Sequence, residues 1–105
     1  MDTAEILNTI KEATGHSARI LPTGGGCEVL AWESTSGMVC WLSDDDASLP
    51  TDEDYGLVLG VYRPNPAEKF WPCEDGTEGE RYYYAATATP SDLAALLVDA
   101  RNDAR

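Results

Sequence analysis

The chain of 105 residues sets 19 Asp and Glu against 7 Lys and Arg, a formal charge of −12, and 43% of it is hydrophobic. That is enough chain for one acidic domain over 1–105 with a single core, and too little for two. Displacing counterions from a phosphate backbone takes clustered cations, and Lys11, Lys69 and five scattered arginines supply none, which argues against direct nucleic-acid binding and against docking on an anionic membrane.

The first element starts at Asp2, three residues before Glu5 in a capping-box-like pair, and continues with Ile6, Leu7, Ile10 and Ala13 at helical spacing. A helix is predicted over 3–14, buried on its Ile6/Ile10 stripe and stopped by Gly15. The period then changes to two. Segments 18–22, 28–33, 38–42, 57–62 and 81–87 are short, rich in Val, Trp and Tyr, and bounded by turn residues, as strands are. Gly24-Gly25-Gly26 and Ser34-Thr35-Ser36-Gly37 supply the first two connections, short enough to force antiparallel pairing. Segments 43–54 and 63–80 hold Pro50, Pro64, Pro66 and Pro72 with Gly76 and Gly79, and read as loops. The last element has Thr89 as N-cap, Pro90 at the first helical position, Asp92 in the first turn, and Leu93, Leu96, Leu97 and Ala100 on one stripe. The order α-β-β-β-β-β-α predicts an α+β domain, a five-stranded antiparallel sheet with both helices on one face.

Splitting the strands by parity assigns the faces. Cys27, Val29 and Ala31, grouped with Met38, Cys40 and Leu42 and with Leu57, Leu59 and Val61, suit the helices. Leu30, Trp32, Val39, Trp41, Val58 and Tyr62 fall on the opposite face, which is too apolar for bulk water. Its expected cover is the 63–80 segment with Phe70 and Trp71, the alternative being another protein.

The charge is unevenly placed. Residues 44–80 contain eleven acids and two bases, against five and two in 1–43 and three of each in 81–105. Asp44-Asp45-Asp46, Asp52-Glu53-Asp54, and Glu74-Asp75 with Glu78 and Glu80 are the clusters. Like charges about 6 Å apart in water repel by roughly 0.7 kcal/mol, so folding does not favour the pattern. One reading is solubility. The other is recognition of a basic protein partner, whose sharper form is imitation of a phosphate row, since alternate carboxylates on an extended strand stand about 6.6 Å apart.

Residue chemistry argues against an enzyme. Cys27, Cys40, Cys73 and His16 lack the close ligand pairs of small zinc sites, and an odd count of three cysteines fits reduced thiols, with Cys73 the exposed one. Counted from Asp44, a calcium loop would need Gly at Leu49 and Glu at Tyr55. The single His16 follows the first helix, where an imidazole caps the negative end. The glycine run precedes a strand and no Lys, unlike a phosphate loop, and Tyr82-Tyr83-Tyr84 reads as half-buried sheet rather than a base-stacking platform. No catalytic, metal or cofactor site is expected. No apolar run approaches the length of a membrane span, and Met1-Asp2-Thr3-Ala4-Glu5 lacks the basic start of a signal peptide, so a soluble, cytoplasmic protein is expected.

The scarcity of Lys, the Ala13-Thr14-Gly15-His16 helix end and the Pro22-Thr23-Gly24-Gly25 turn resemble small uncharacterised proteins of high-GC actinobacteria and their phages, a set with no named family. The resemblance implies a setting in which a small acidic protein binds a host protein. The leading expectation is a non-enzymatic interaction module, monomeric or homodimeric, in which Asp44, Asp45, Asp46, Asp52, Glu53 and Asp54 steer a basic partner while Trp32, Trp41 and Trp71 supply apolar contact. A structural or self-assembling protein using the apolar sheet face is the second reading, and a small hydrolase or metal-dependent enzyme around Cys73 and His16 the third.

Overall fold

A computed structural model of the chain describes residues 1–52, 54–73 and 81–103. Helix α1 (Thr3–Thr14) is followed by strands β1 (Arg19–Gly24), β2 (Cys27–Glu33), β3 (Val39–Asp44), β4 (Leu57–Tyr62) and β5 (Arg81–Ala85), and by helix α2 (Pro90–Asp103). The strands pair in chain order, β1-β2-β3-β4-β5, each antiparallel to the next. The fold is α+β, with both helices packed on one sheet face.

The helix ends are built as their residues dictate. Asp2 is extended and its carboxylate accepts the Glu5 N–H at 2.8 Å, while Gly15 adopts the left-handed conformation and donates its N–H to the Lys11 carbonyl. At α2 the Thr89 hydroxyl accepts from the Asp92 N–H at 3.3 Å, and its carbonyl accepts from Leu93 at 2.9 Å. Pro90, which has no N–H to offer, takes the first turn where none is needed.

The helix-side core joins Ile6 and Ile10 of α1 and Leu93, Leu96, Leu97 and Ala100 of α2 to Leu30, Trp32, Cys40, Leu42, Leu57, Leu59 and Val61 of the central strands. Each large aliphatic side chain buried here contributes about 1.5–3 kcal/mol. Strand β2 is turned over relative to the parity grouping. Leu30 pairs with Leu42 and Trp32 with Cys40, so Leu30 and Trp32 face the helices and Cys27, Val29 and Ala31 the other side. The cause is the length of the β2–β3 turn. Ser34 donates its N–H to the Met38 carbonyl at 2.8 Å and Gly37 donates to Ser34 at 2.9 Å, leaving Thr35, Ser36 and Gly37 between the closing pair. A three-residue loop pairs positions of like parity, and Gly37 at φ 85° supplies the left-handed residue that it requires. Between β3 and β4 the expected register holds, with Cys40 opposite Val61 and Leu42 opposite Leu59.

The opposite face carries Trp41, Tyr62 and Tyr82 as an edge-to-face aromatic row, with ring centroids 5.9 and 5.8 Å apart. Gly60 sits within this row because the Tyr62 ring occupies the space where a Cβ would stand. The chain after β4 folds back over part of it. Arg63 and Cys73 are joined by a backbone hydrogen bond of 2.8 Å, Asn65 and Trp71 by another, and Pro64 bridges to Pro72, making a small flap from Arg63 to Cys73.

Candidate functional site

The two described acidic clusters occupy turns at one end of the sheet, between β3 and β4. Asp44 is buried, 6% exposed, and its Oδ1 accepts the N–H groups of Asp46 at 2.8 Å and Ser48 at 2.9 Å. The carboxylate thus satisfies two backbone donors that the reverse turn would otherwise leave without partners. Asp45 accepts the Gly56 N–H at 3.1 Å and so ties this turn to the next. In that second turn the Asp52 carboxylate accepts the Asp54 N–H at 3.0 Å. Three of the six acidic residues singled out from the sequence therefore hold backbone. Asp46 and Asp54 are exposed, and their carboxylates make no hydrogen bond among the described residues. Glu53, and with it Glu74, Asp75, Glu78 and Glu80, lies outside the described residues. Asp44 ends β3 and Asp45 and Asp46 lie in the turn that follows it, so Asp44–Asp46 is not an extended stretch.

The tryptophans do not form one surface. Trp32 is 3% exposed on the helix side, a consequence of the three-residue turn. Trp41 is half-buried on the other side and donates its indole N–H to the Phe70 carbonyl at 2.7 Å, while Trp71 packs edge-on against it at 5.2 Å. Phe70 holds the left-handed region at φ 66°, and the Arg19 guanidinium lies 4.3 Å from its ring centre. Trp41 and Trp71 thus cover each other.

The exposed aromatics are tyrosines, and they include Tyr82 and Tyr84 of the run expected to be half-buried in the sheet. Tyr84 is 69% exposed and Tyr55 42%. Pairing of Val58 with Tyr84 and of Leu57 with Ala85 sets Tyr84 beside the start of β4, next to the Asp52–Gly56 turn that presents Tyr55. The available signal was the position of the Tyr run on the last strand of a sheet that pairs in chain order, where one flank has no neighbouring strand among the described residues.

A pocket of about 590 Å³ opens elsewhere, between the end of α1, the β2–β3 turn and the last turns of α2. His16 is on its rim, with Nε2 3.1 Å from the Thr35 hydroxyl. The capping role assigned to the imidazole is filled instead by Lys11, whose ammonium donates to the Gly15 carbonyl at 3.2 Å. Cys40 is in the pocket floor, and burial pushes its thiol up to about 12, so it stays protonated and unreactive at neutral pH. Cys73 is half-buried rather than exposed, and belongs to the flap on the other side of the sheet from His16. Among the described residues no three His, Cys, Asp or Glu side chains converge in a way that could hold a metal ion, and no helix is long and apolar enough to cross a membrane. Compared with protein-family models, with curated proteins and with solved structures, the chain finds no match in any of the three.

Proposed function

We propose that the protein is a non-enzymatic interaction module that binds a basic protein through the end of the sheet bearing Asp46, Asp54, Tyr55 and Tyr84. The hydrogen bond from Gly56 to Asp45 carries this reading, because it fastens two acidic turns together beside two exposed tyrosines. A carboxylate attracts a cationic side chain at long range, and a tyrosine face accepts a guanidinium at contact. Arginine, planar and weakly hydrated, uses both better than lysine does. The net charge of −12 speeds encounter with a basic partner and repels acidic ones. In the setting that the resemblance implies, that partner is a host protein which is itself basic, as nucleic-acid-binding proteins are.

The test is fluorescence anisotropy with an arginine-rich peptide, a lysine-rich peptide of equal charge and an acidic control, at low and high salt. The arginine peptide binds most tightly, and binding weakens as salt rises. The double variant Asp46→Ser, Asp54→Ser reduces affinity and flattens the salt dependence; Tyr84→Ser reduces affinity while leaving the salt dependence unchanged. Equal binding by wild type and the double variant at every salt concentration overturns the assignment.

A further inference from the structure

The pocket between the two helix ends is a second site, independent of the acidic turns. Its volume of about 590 Å³ falls among small-molecule sites, which run from ~300 to ~1,000 Å³. The space exists because Ala13 of α1 and Ala100 of α2 both line it, where larger side chains would close it. Its floor is apolar, made by Trp32, Val61 and Leu97 with the protonated Cys40. Glu12 and Arg101 bring one opposite charge each, from the last turn of α1 and the last turns of α2. Both side chains are exposed. Glu12 is bonded only by the Asn8 amide, at 3.4 Å, and Arg101 makes no hydrogen bond or ion pair among the described residues. The two charges line one cavity without neutralising each other.

We propose that this pocket binds a free α-amino acid with an apolar side chain. The Glu12 carboxylate favours an ammonium group. Arg101 offers a fork of N–H donors that fits a carboxylate. The apolar floor takes the side chain, and Trp32 gives an aromatic one a ring to pack against. A plain carboxylic acid would meet Glu12 without compensation, and a plain amine would meet Arg101 in the same way, so the pair selects a molecule that carries both charges.

The experiment is isothermal titration and thermal unfolding with L-phenylalanine and L-leucine, compared with 3-phenylpropionate, which lacks the ammonium, and phenethylamine, which lacks the carboxylate. A saturable rise in Tm with an amino acid, and at least about tenfold weaker binding of each analogue, is expected, tenfold being ~1.4 kcal/mol. Glu12→Gln should weaken L-phenylalanine about tenfold without weakening 3-phenylpropionate, and Arg101→Gln should weaken it likewise without weakening phenethylamine. Circular dichroism of both surface variants verifies that they fold. The proposal is overturned if neither amino acid produces a saturable shift, if an analogue binds as tightly as its parent, or if both variants bind L-phenylalanine as the wild type does.

Discussion

The two faces of the sheet are closed by different means. On one, two amphipathic helices bury aliphatic side chains to near zero exposure, and Leu42 and Leu59 meet Ile10-bearing α1 and Leu93-bearing α2 in one cluster. On the other, a single flap packs Trp71 edge-on against Trp41, fastened by the indole hydrogen bond to the Phe70 carbonyl and by the Arg19 guanidinium on the Phe70 ring. Past the flap Tyr82 is 46% exposed and Tyr84 more so. The helix side thus carries the large fully buried leucines and isoleucines, whereas the other side buries only the smaller Val29, Ala31 and Val39 and leaves tyrosines exposed past the flap.

The contrast is broken most severely from the helix side. Leu42 is fully buried between Leu30 and Leu59, so Leu42→Ala should cost about 3–5 kcal/mol, a large share of the ~5–15 kcal/mol that holds a domain of this size. Val58→Ala, on the half-buried side of the same sheet, should cost under about 1.5 kcal/mol. Urea unfolding of the two variants makes the comparison directly, and equal losses would mean that the two faces contribute alike.

The flap is the next largest effect. Trp41→Phe retains a ring against Trp71 and Tyr62 but removes the donor to the Phe70 carbonyl, with an expected loss of about 1–3 kcal/mol. Because one hydrogen bond holds the flap at that point, limited proteolysis should cut between 63 and 73 faster than in the wild type, while far-UV circular dichroism is preserved. Cleavage at the wild-type rate would show that the ring contacts alone secure it.

This division also explains what the sequence disclosed. The helices were legible to the residue at Thr3–Thr14, because a period of 3.6 and a cap at each end are local signals. Strand β4 was equally clear. The face of β2 was not, since it depends on whether the turn at 34–37 closes with an odd or an even loop, a matter of one residue that exchanges Trp32 for Ala31 in the core. The acidic stretches show the other limit. Counting carboxylates reveals net charge, but whether Asp44 faces solvent or caps a turn depends on backbone donors that appear only once the chain reverses. Flap and tyrosine exposure are long-range properties, set by which residues fold back over Trp41 and which do not.

Replacing carboxylates one at a time separates the two uses of charge. Asp44→Ala should lose about 1–2 kcal/mol, the usual worth of a side chain capping backbone N–H groups, whereas Asp44→Asn retains an acceptor oxygen and should lose much less. Asp46→Ala, which removes an exposed carboxylate with no hydrogen bond among the described residues, should fall within about 0.5 kcal/mol of wild type. If Asp44→Asn is as damaging as Asp44→Ala, the negative charge rather than the acceptor is what the turn requires.

The smallest effect comes from two turns with the same geometry and different residues. At Ser34–Met38 and at Asp44–Ser48 the first residue donates its N–H to the fifth carbonyl, its side-chain oxygen accepts the fifth N–H, and the fourth residue has positive φ. The fourth residue is Gly37 in one and Ala47, at φ 59°, in the other. A left-handed alanine costs about 1–2 kcal/mol that glycine does not, offset by the roughly 0.5–1 kcal/mol of extra chain entropy that glycine loses on folding. Ala47→Gly should therefore stabilise the protein by a few tenths to about 1 kcal/mol, and Gly37→Ala should destabilise it by a similar amount. Thermal unfolding of the pair, in opposite directions, would show that the acidic turn is held in its conformation by the Asp44 carboxylate against the preference of Ala47; a loss of stability in Ala47→Gly would show that the methyl group makes a contact worth more than its backbone strain.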